Sequence, residues 1–241
     1  MSDPSVQAEF PAQAAGAASP AGSWRDSRWL ALVDIAAVAL VFLARQYHMV
    51  PLSTTPFLLL IGWISLRVRR AGWRSLGLTR YRSWTVTLAL GAGLGAASEA
   101  FQLLVTQPLL SRWFGRQPDL EVFRSVPGNL KLALLGLVLI WTLAAFGEEM
   151  AWRGFILNRV ADLGRRTRAA WAVAAVAVCA AFGFAHSYQG LTGIVEEGIA
   201  GLMLTGMYLG TRRNLAVPIV AHGVADTIDL VLIFFGKFPG M

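Results

Sequence analysis

The sequence predicts an all-α protein, a polytopic transmembrane helical bundle of about seven spans. Three observations carry this. Of 241 residues, 56% are hydrophobic and only 15% charged, with a mean hydropathy of +0.55, a balance unlike that of a soluble domain. Apolar runs recur along the chain at roughly the 20 residues that a bilayer requires. The formal net charge of +7 comes almost wholly from arginines in short segments at the ends of those runs, as in loops retained in the cytoplasm.

The elements follow in order. Residues 1–24 are rich in Ala, Pro, Ser and Gly, lack the basic and apolar regions of a signal peptide, and read as a disordered cytoplasmic tail. Two apolar runs, 29–44 and 51–66, form the first pair of spans, and the basic loop 67–82 (RVRRAGWRSLGLTRYR) closes a unit at 25–83. As the densest basic segment it belongs in the cytoplasm, which puts the N-terminus there too. The third span, 84–106, holds GAGLGAA, small residues that suit close helix contact. Residues 107–129 read as an outer loop with a short interfacial helix. The fourth helix starts near Leu130, and the others cover 169–187, 190–210 and 214–235. The loops 159–168 and 211–213 then fall on the cytoplasmic side, and both are basic. The chain reads as a multi-pass protein of an inner (plasma) membrane, partnered by the lipid bilayer and not by nucleic acid, since its arginines sit at span ends and not on one soluble face.

Charged residues inside the spans are the candidates for chemistry, because an intramembrane charge is costly unless paired, hydrated or neutralised. The run LALLGLVLIWTLAAFGEEM ends in Glu148 and Glu149, with Arg153 beyond. Glu149 and Arg153 are four apart and share a helix face, so they can neutralise each other. Glu148 is rotated about 100° away and is left unpaired. The turn at Leu163–Arg168 lies 19 residues from both Glu148 and His186, so an antiparallel hairpin sets them at one depth, roughly 28 Å from its tip if both arms are continuous α-helix. A glutamate and a histidine so placed can share one water. His222 and Asp226 are four apart on the last span; a carboxylate on one ring nitrogen fixes what the other can do. Depth counting sets His222 shallower than the other two. Asp34, Glu99 and Asp229 have no partner in the sequence, and Glu196 and Glu197 are expected at the outer surface. The single cysteine, Cys179, excludes an intramolecular disulfide; it lies seven residues before His186, where apolar filler is a simpler reading than a nucleophile.

E-E-x-x-x-R (Glu148, Glu149, Arg153), F-x-x-x-H (Phe182, His186) and H-x-x-x-D (His222, Asp226), in that order on apolar helices, resemble the CAAX protease and bacteriocin-processing family, the type II CAAX prenyl endopeptidases and their bacterial Abi relatives. W-R-S-L-G-L at 73–78 is similar too, and the resemblance covers roughly 70–236. It implies that 84–241 is an intramembrane protease core with a hydrated cavity reached from the cytoplasmic side, acting on a membrane-associated protein or peptide. Carried onto this chain, Glu148 is the base that activates water, His186 helps to hold that water, and His222 with Asp226 stabilises the oxyanion. Glu149 and Arg153 shape the site. Many relatives have asparagine where this chain has Asp226. An ionised carboxylate cannot donate to an oxyanion, so Asp226 is expected to orient His222 and leave donation to the ring. The resemblance leaves the metal open: two histidines and a carboxylate suit a divalent ion such as zinc, although the H-E-x-x-H spacing is absent. Another reading is a non-proteolytic membrane protein of the same fold, an immunity factor or scaffold. A proton-coupled transporter predicts internal repeats, and none is visible.

Overall fold

A computed structural model describes residues 24–50 and 53–240; the tail expected over 1–24 lies outside the described residues up to position 23. Among the described residues there is no strand, and seven long helices carry the fold: α1 (Arg28–Gln46), α2 (Thr55–Val68), α3 (Trp84–Phe114), α4 (Leu130–Leu163), α5 (Arg168–Ala185), α6 (Gly190–Gly210) and α7 (Ala216–Phe234). Five of them, α1, α3, α4, α5 and α7, are long and apolar enough to cross a membrane; α2 is apolar but shorter. The two glutamates of α6 dilute its apolar character. Leu40, Leu60, Leu88, Leu104, Leu134 and Val173 are exposed on the outside of the bundle, where a bilayer and not water would cover them.

Helix starts follow local chemistry. Ser27, Ser83, Asn129 and Thr167 precede α1, α3, α4 and α5, and the side chain of each accepts a hydrogen bond from a backbone N–H of the first turn. These are the N–H groups that a helix leaves without internal partners. Asn214 does the same for α7 through Val217 N. Asp34 is neutralised: Arg69 Nη2 lies 2.8 Å from its Oδ2 and Ser65 donates to the same oxygen, tying α1 to the end of α2.

α3 differs from expectation. The short helix expected within 107–129 is present at Gln107–Phe114, but it continues α3 without a break, and the loop begins at Gly115. A wide i→i+5 turn over Gln102–Thr106 stands just ahead of Pro108. An α-helical turn there would drive the proline ring into the carbonyl four residues earlier, and the wider turn relieves that clash.

α3 packs most closely on α7. A Cβ on Gly95 would stand 2.3 Å from the Ala221 carbonyl oxygen, so only glycine permits this approach, and Ala221 is the neighbour of His222. At the basic end, Gly77 has φ +103°, and a Cβ there would lie 1.8 Å from Arg213 O. Its own carbonyl accepts from Leu215 N at 2.9 Å. A Gly77→Ala variant is expected to lose at least about 1–3 kcal/mol from backbone strain alone, read as a lower melting temperature in detergent. A variant that melts with the wild type would show that this junction does not hold the loop.

Candidate active site

α4 is continuous but not regular. Ile140–Glu148 and Met150–Ile156 are wound with i→i+5 hydrogen bonds. Such winding fits more residues into each turn and advances less per residue, and it concentrates at functional sites. Glu148 therefore lies nearer the tip of the α4–α5 hairpin than α-helical counting gives. His222 stands against Glu149, the residue next to Glu148, deeper than counting from its turn gives.

Glu149 and Arg153 form the centre of the arrangement, both fully buried. Arg153 Nη1 donates to Glu149 Oε1 at 2.7 Å, and Nη2 donates to Gly201 O of α6 at 3.0 Å. The guanidinium sits 4.6 Å from the Phe182 ring centroid, and that ring also packs on Trp152 and on His186, 5.3 Å and 4.7 Å away centroid to centroid. Phe182 thus separates a buried cation from the histidine one turn on, which gives the F-x-x-x-H spacing its physical meaning.

Each histidine has one nitrogen committed. His186 Nδ1 is 2.9 Å from Phe182 O. A carbonyl only accepts, so Nδ1 carries the proton, and Nε2 of the neutral ring keeps a free lone pair. His222 Nδ1 is 2.9 Å from Glu149 Oε1, and its Nε2 is 3.5 Å from Asp226 Oδ2. The oxygen held by Arg153 accepts, so Nδ1 donates here as well. A bare Nε2 facing an ionised carboxylate would oppose two acceptors, so ring and carboxyl share one proton between them. The carboxylate that fixes the His222 ring through a hydrogen bond is Glu149, and the Asp226 contact is the looser one. Sequence reasoning had given that orienting task to Asp226; no spacing rule links Glu149 to a residue 73 positions on.

Glu148, His186, His222 and Asp226 all wall one cavity of about 360 Å³, with Glu149 and Arg153 behind it. Glu148 makes no hydrogen bond or ion pair among the described residues. Leu103, Leu139, Ile140, Leu143 and Leu230 supply an apolar wall. Glu196 and Glu197, expected at the outer surface, face into the same cavity, and Glu197 accepts from Gln189 Nε2 at 3.0 Å. Glu99 and Asp229 line it as well. Cys179 does not: it is buried with Sγ 3.3 Å from Thr205 Oγ1. Among the described residues no three His, Cys, Asp or Glu side chains converge to hold a metal ion. Both Nδ1 atoms are engaged with a backbone carbonyl or a carboxylate, which leaves Nε2 of each ring as the nitrogen that a divalent ion such as zinc would use.

The side from which the cavity is reached departs from the resemblance. Its walls outside the helices come from Pro118, Leu120, Phe123, Val126, Tyr188 and Phe238. These connections lie at the end of the bundle opposite the basic loops, which are joined to one another by Leu215 N to Gly77 O and by Arg28 Nη1 to Leu163 O. Basic loops in the cytoplasm and a cavity open to the cytoplasm are therefore mutually exclusive in this chain.

Residues 130–228 match the family model described as Type II CAAX prenyl endopeptidase Rce1-like. The matched segment is under half of the chain, and it contains every residue of the three motifs. The match agrees with the resemblance read from the motifs, and the apolar helices make the chain a multi-pass membrane protein. No curated protein and no solved structure matches the chain.

Proposed function

We propose that this protein is an intramembrane endopeptidase that hydrolyses a peptide bond of a membrane-associated protein or peptide with water activated by Glu148. The observation that carries this is one cavity wall holding a carboxylate with no hydrogen bond of its own and a histidine whose Nε2 keeps a lone pair. Water bridges the two, donating one hydrogen to Glu148 and the other to His186 Nε2. Its oxygen attacks the substrate carbonyl carbon as Glu148 takes the proton. The oxyanion forms beside the proton shared by His222 and Asp226, held in place through Glu149 and Arg153. Glu148 then passes its proton to the leaving amine as the C–N bond breaks. No step calls on a metal. The apolar wall suits a substrate segment drawn from the bilayer.

The membrane is a plasma (inner) membrane, with the N-terminus and basic loops in the cytoplasm and the cavity opening on the opposite face. Cysteine labelling tests this orientation. In a Cys179→Ala background, a membrane-impermeant maleimide applied to intact cells is expected to label Val122→Cys, beside the cavity mouth. Arg165→Cys, in a basic loop, is expected to react only after lysis. The reverse pattern would return the cavity to the cytoplasm. The protease reading itself rests on Glu148, whose replacement opens the Discussion.

A further inference from the structure

A second cavity lies at the basic end, about 520 Å³ in volume, between the 74–82 segment and the 211–214 turn. Arg74, Arg80, Arg82, Arg212 and Arg213 line it, and no Asp or Glu does. Among the described residues none of these five guanidinium groups makes an ion pair or hydrogen bond. Arg82 lies over Tyr81, and Arg213 over Trp171. A loop away, Arg159 and Arg166 both pair with Asp162, so a neighbouring basic segment is compensated where this one is not.

A preference for basic loops in the cytoplasm explains arginines in these segments. It does not explain why five converge on one recess, nor why the recess is rigidly built. Asn214 Nδ2 donates to Thr79 O at 2.7 Å, and Tyr208, fully buried, donates from its hydroxyl to Leu76 O at 2.9 Å. Leu215 N bonds Gly77 O, and the missing Gly77 Cβ lets the two segments touch. Arg82, Arg212 and Arg213 have φ of +54°, +58° and +62°, a left-handed backbone that glycine or asparagine adopts more readily. The chain keeps arginine there, on a fixed scaffold.

We propose that this recess binds a phosphoryl-bearing anion. The planar guanidinium fork matches phosphate oxygens in pairs, and Ser75, Thr79 and Tyr81 line the same space with hydroxyl groups. The shared chemistry belongs to two sources: the headgroup of an anionic phospholipid in the adjoining leaflet, or a soluble phosphate ester.

The test uses the full chain in neutral detergent with two probes, dioleoylphosphatidylglycerol and inorganic pyrophosphate. Dioleoylphosphatidylcholine is the reference lipid. Affinity is read by native mass spectrometry and by the shift in melting temperature. Arg80→Gln and Arg212→Gln alter exposed side chains, and each is expected to weaken binding about tenfold, the worth of a charge-assisted hydrogen bond. Arg112→Gln, at the other end, is expected to change nothing. Should one variant fail to fold, the other carries the comparison. Binding of phosphatidylglycerol alone, lost in the variants, assigns the site to lipid; loss of pyrophosphate binding as well assigns it to a soluble phosphate ester. If both variants bind both probes as the wild type does, or if the wild type binds neither, the proposal is overturned. None of these readouts depends on proteolysis.

Discussion

Glu148→Gln is expected to leave a folded, membrane-inserted protein that has lost cleavage. The amide keeps the shape of the side chain but cannot take a proton from water, and removing a general base costs typically 10²–10⁴-fold in rate. The fold should survive because Glu148 makes no hydrogen bond or ion pair that the change would break. The measurement is a comparison of membrane-protein termini in a deletion strain carrying either the wild-type gene or Glu148→Gln at matched expression. Termini that appear only with the wild type would identify the substrates as well as the activity. If the variant restores the phenotype and no terminus changes, the chain acts without proteolysis, as an immunity factor or scaffold of the same fold would.

Arg153→Met should have the largest effect on stability. The substitution keeps an unbranched side chain but removes the arginine from a carboxylate that is fully buried, leaving it only the His222 ring. Breaking a buried pair by removing one member costs about 3–5 kcal/mol, whereas replacing both members by apolar or neutral groups is often tolerated. The double variant Glu149→Gln/Arg153→Met should therefore melt above the single Arg153→Met variant. It should still be impaired in cleavage, because His222 loses the charged oxygen that fixes its ring. Equal melting of the single variant and the wild type would mean that the pair contributes nothing to the fold. Equal melting of single and double variants would mean that the stranded carboxylate is not the cause of the loss.

The comparison of sequence with structure follows a physical line. Glu149–Arg153 was readable because four residues on a helix bring two side chains together, and the joint depth of Glu148 and His186 because a hairpin folds about its turn. The close seating of α3 was readable from its small residues. The Glu149–His222 bond was not, since it joins helices far apart in sequence and depends on how they rotate. Glu196 and Glu197 were misplaced because a pair of carboxylates looks like a surface feature until the walls of the cavity are known. The depth of His222 was misjudged because counting from separate turns assumes that every turn lies at one level and every arm advances 1.5 Å per residue, and nothing in FGEEMAWRGF announces a wider winding. The side from which the cavity opens needed both ends of the bundle at once: the charge pattern marks one end, but only the packed helices tell which end the cavity adjoins.

The wide winding of α4 also bears on which changes of length this chain can accept. A wide turn is what an α-helix becomes when it takes in one residue more than its ladder needs. Deleting a single residue between Ile140 and Gly147 would therefore let the ladder close up as ordinary α-helix, with the upstream half of α4 keeping nearly its phase against the half that bears Glu149 and Arg153. Deleting one from the regular turns of Leu130–Leu139 would instead turn the helix about 100° on either side of the cut. The wide stretch is slack in the chain: it should survive the loss of a residue that the regular turns before it would not.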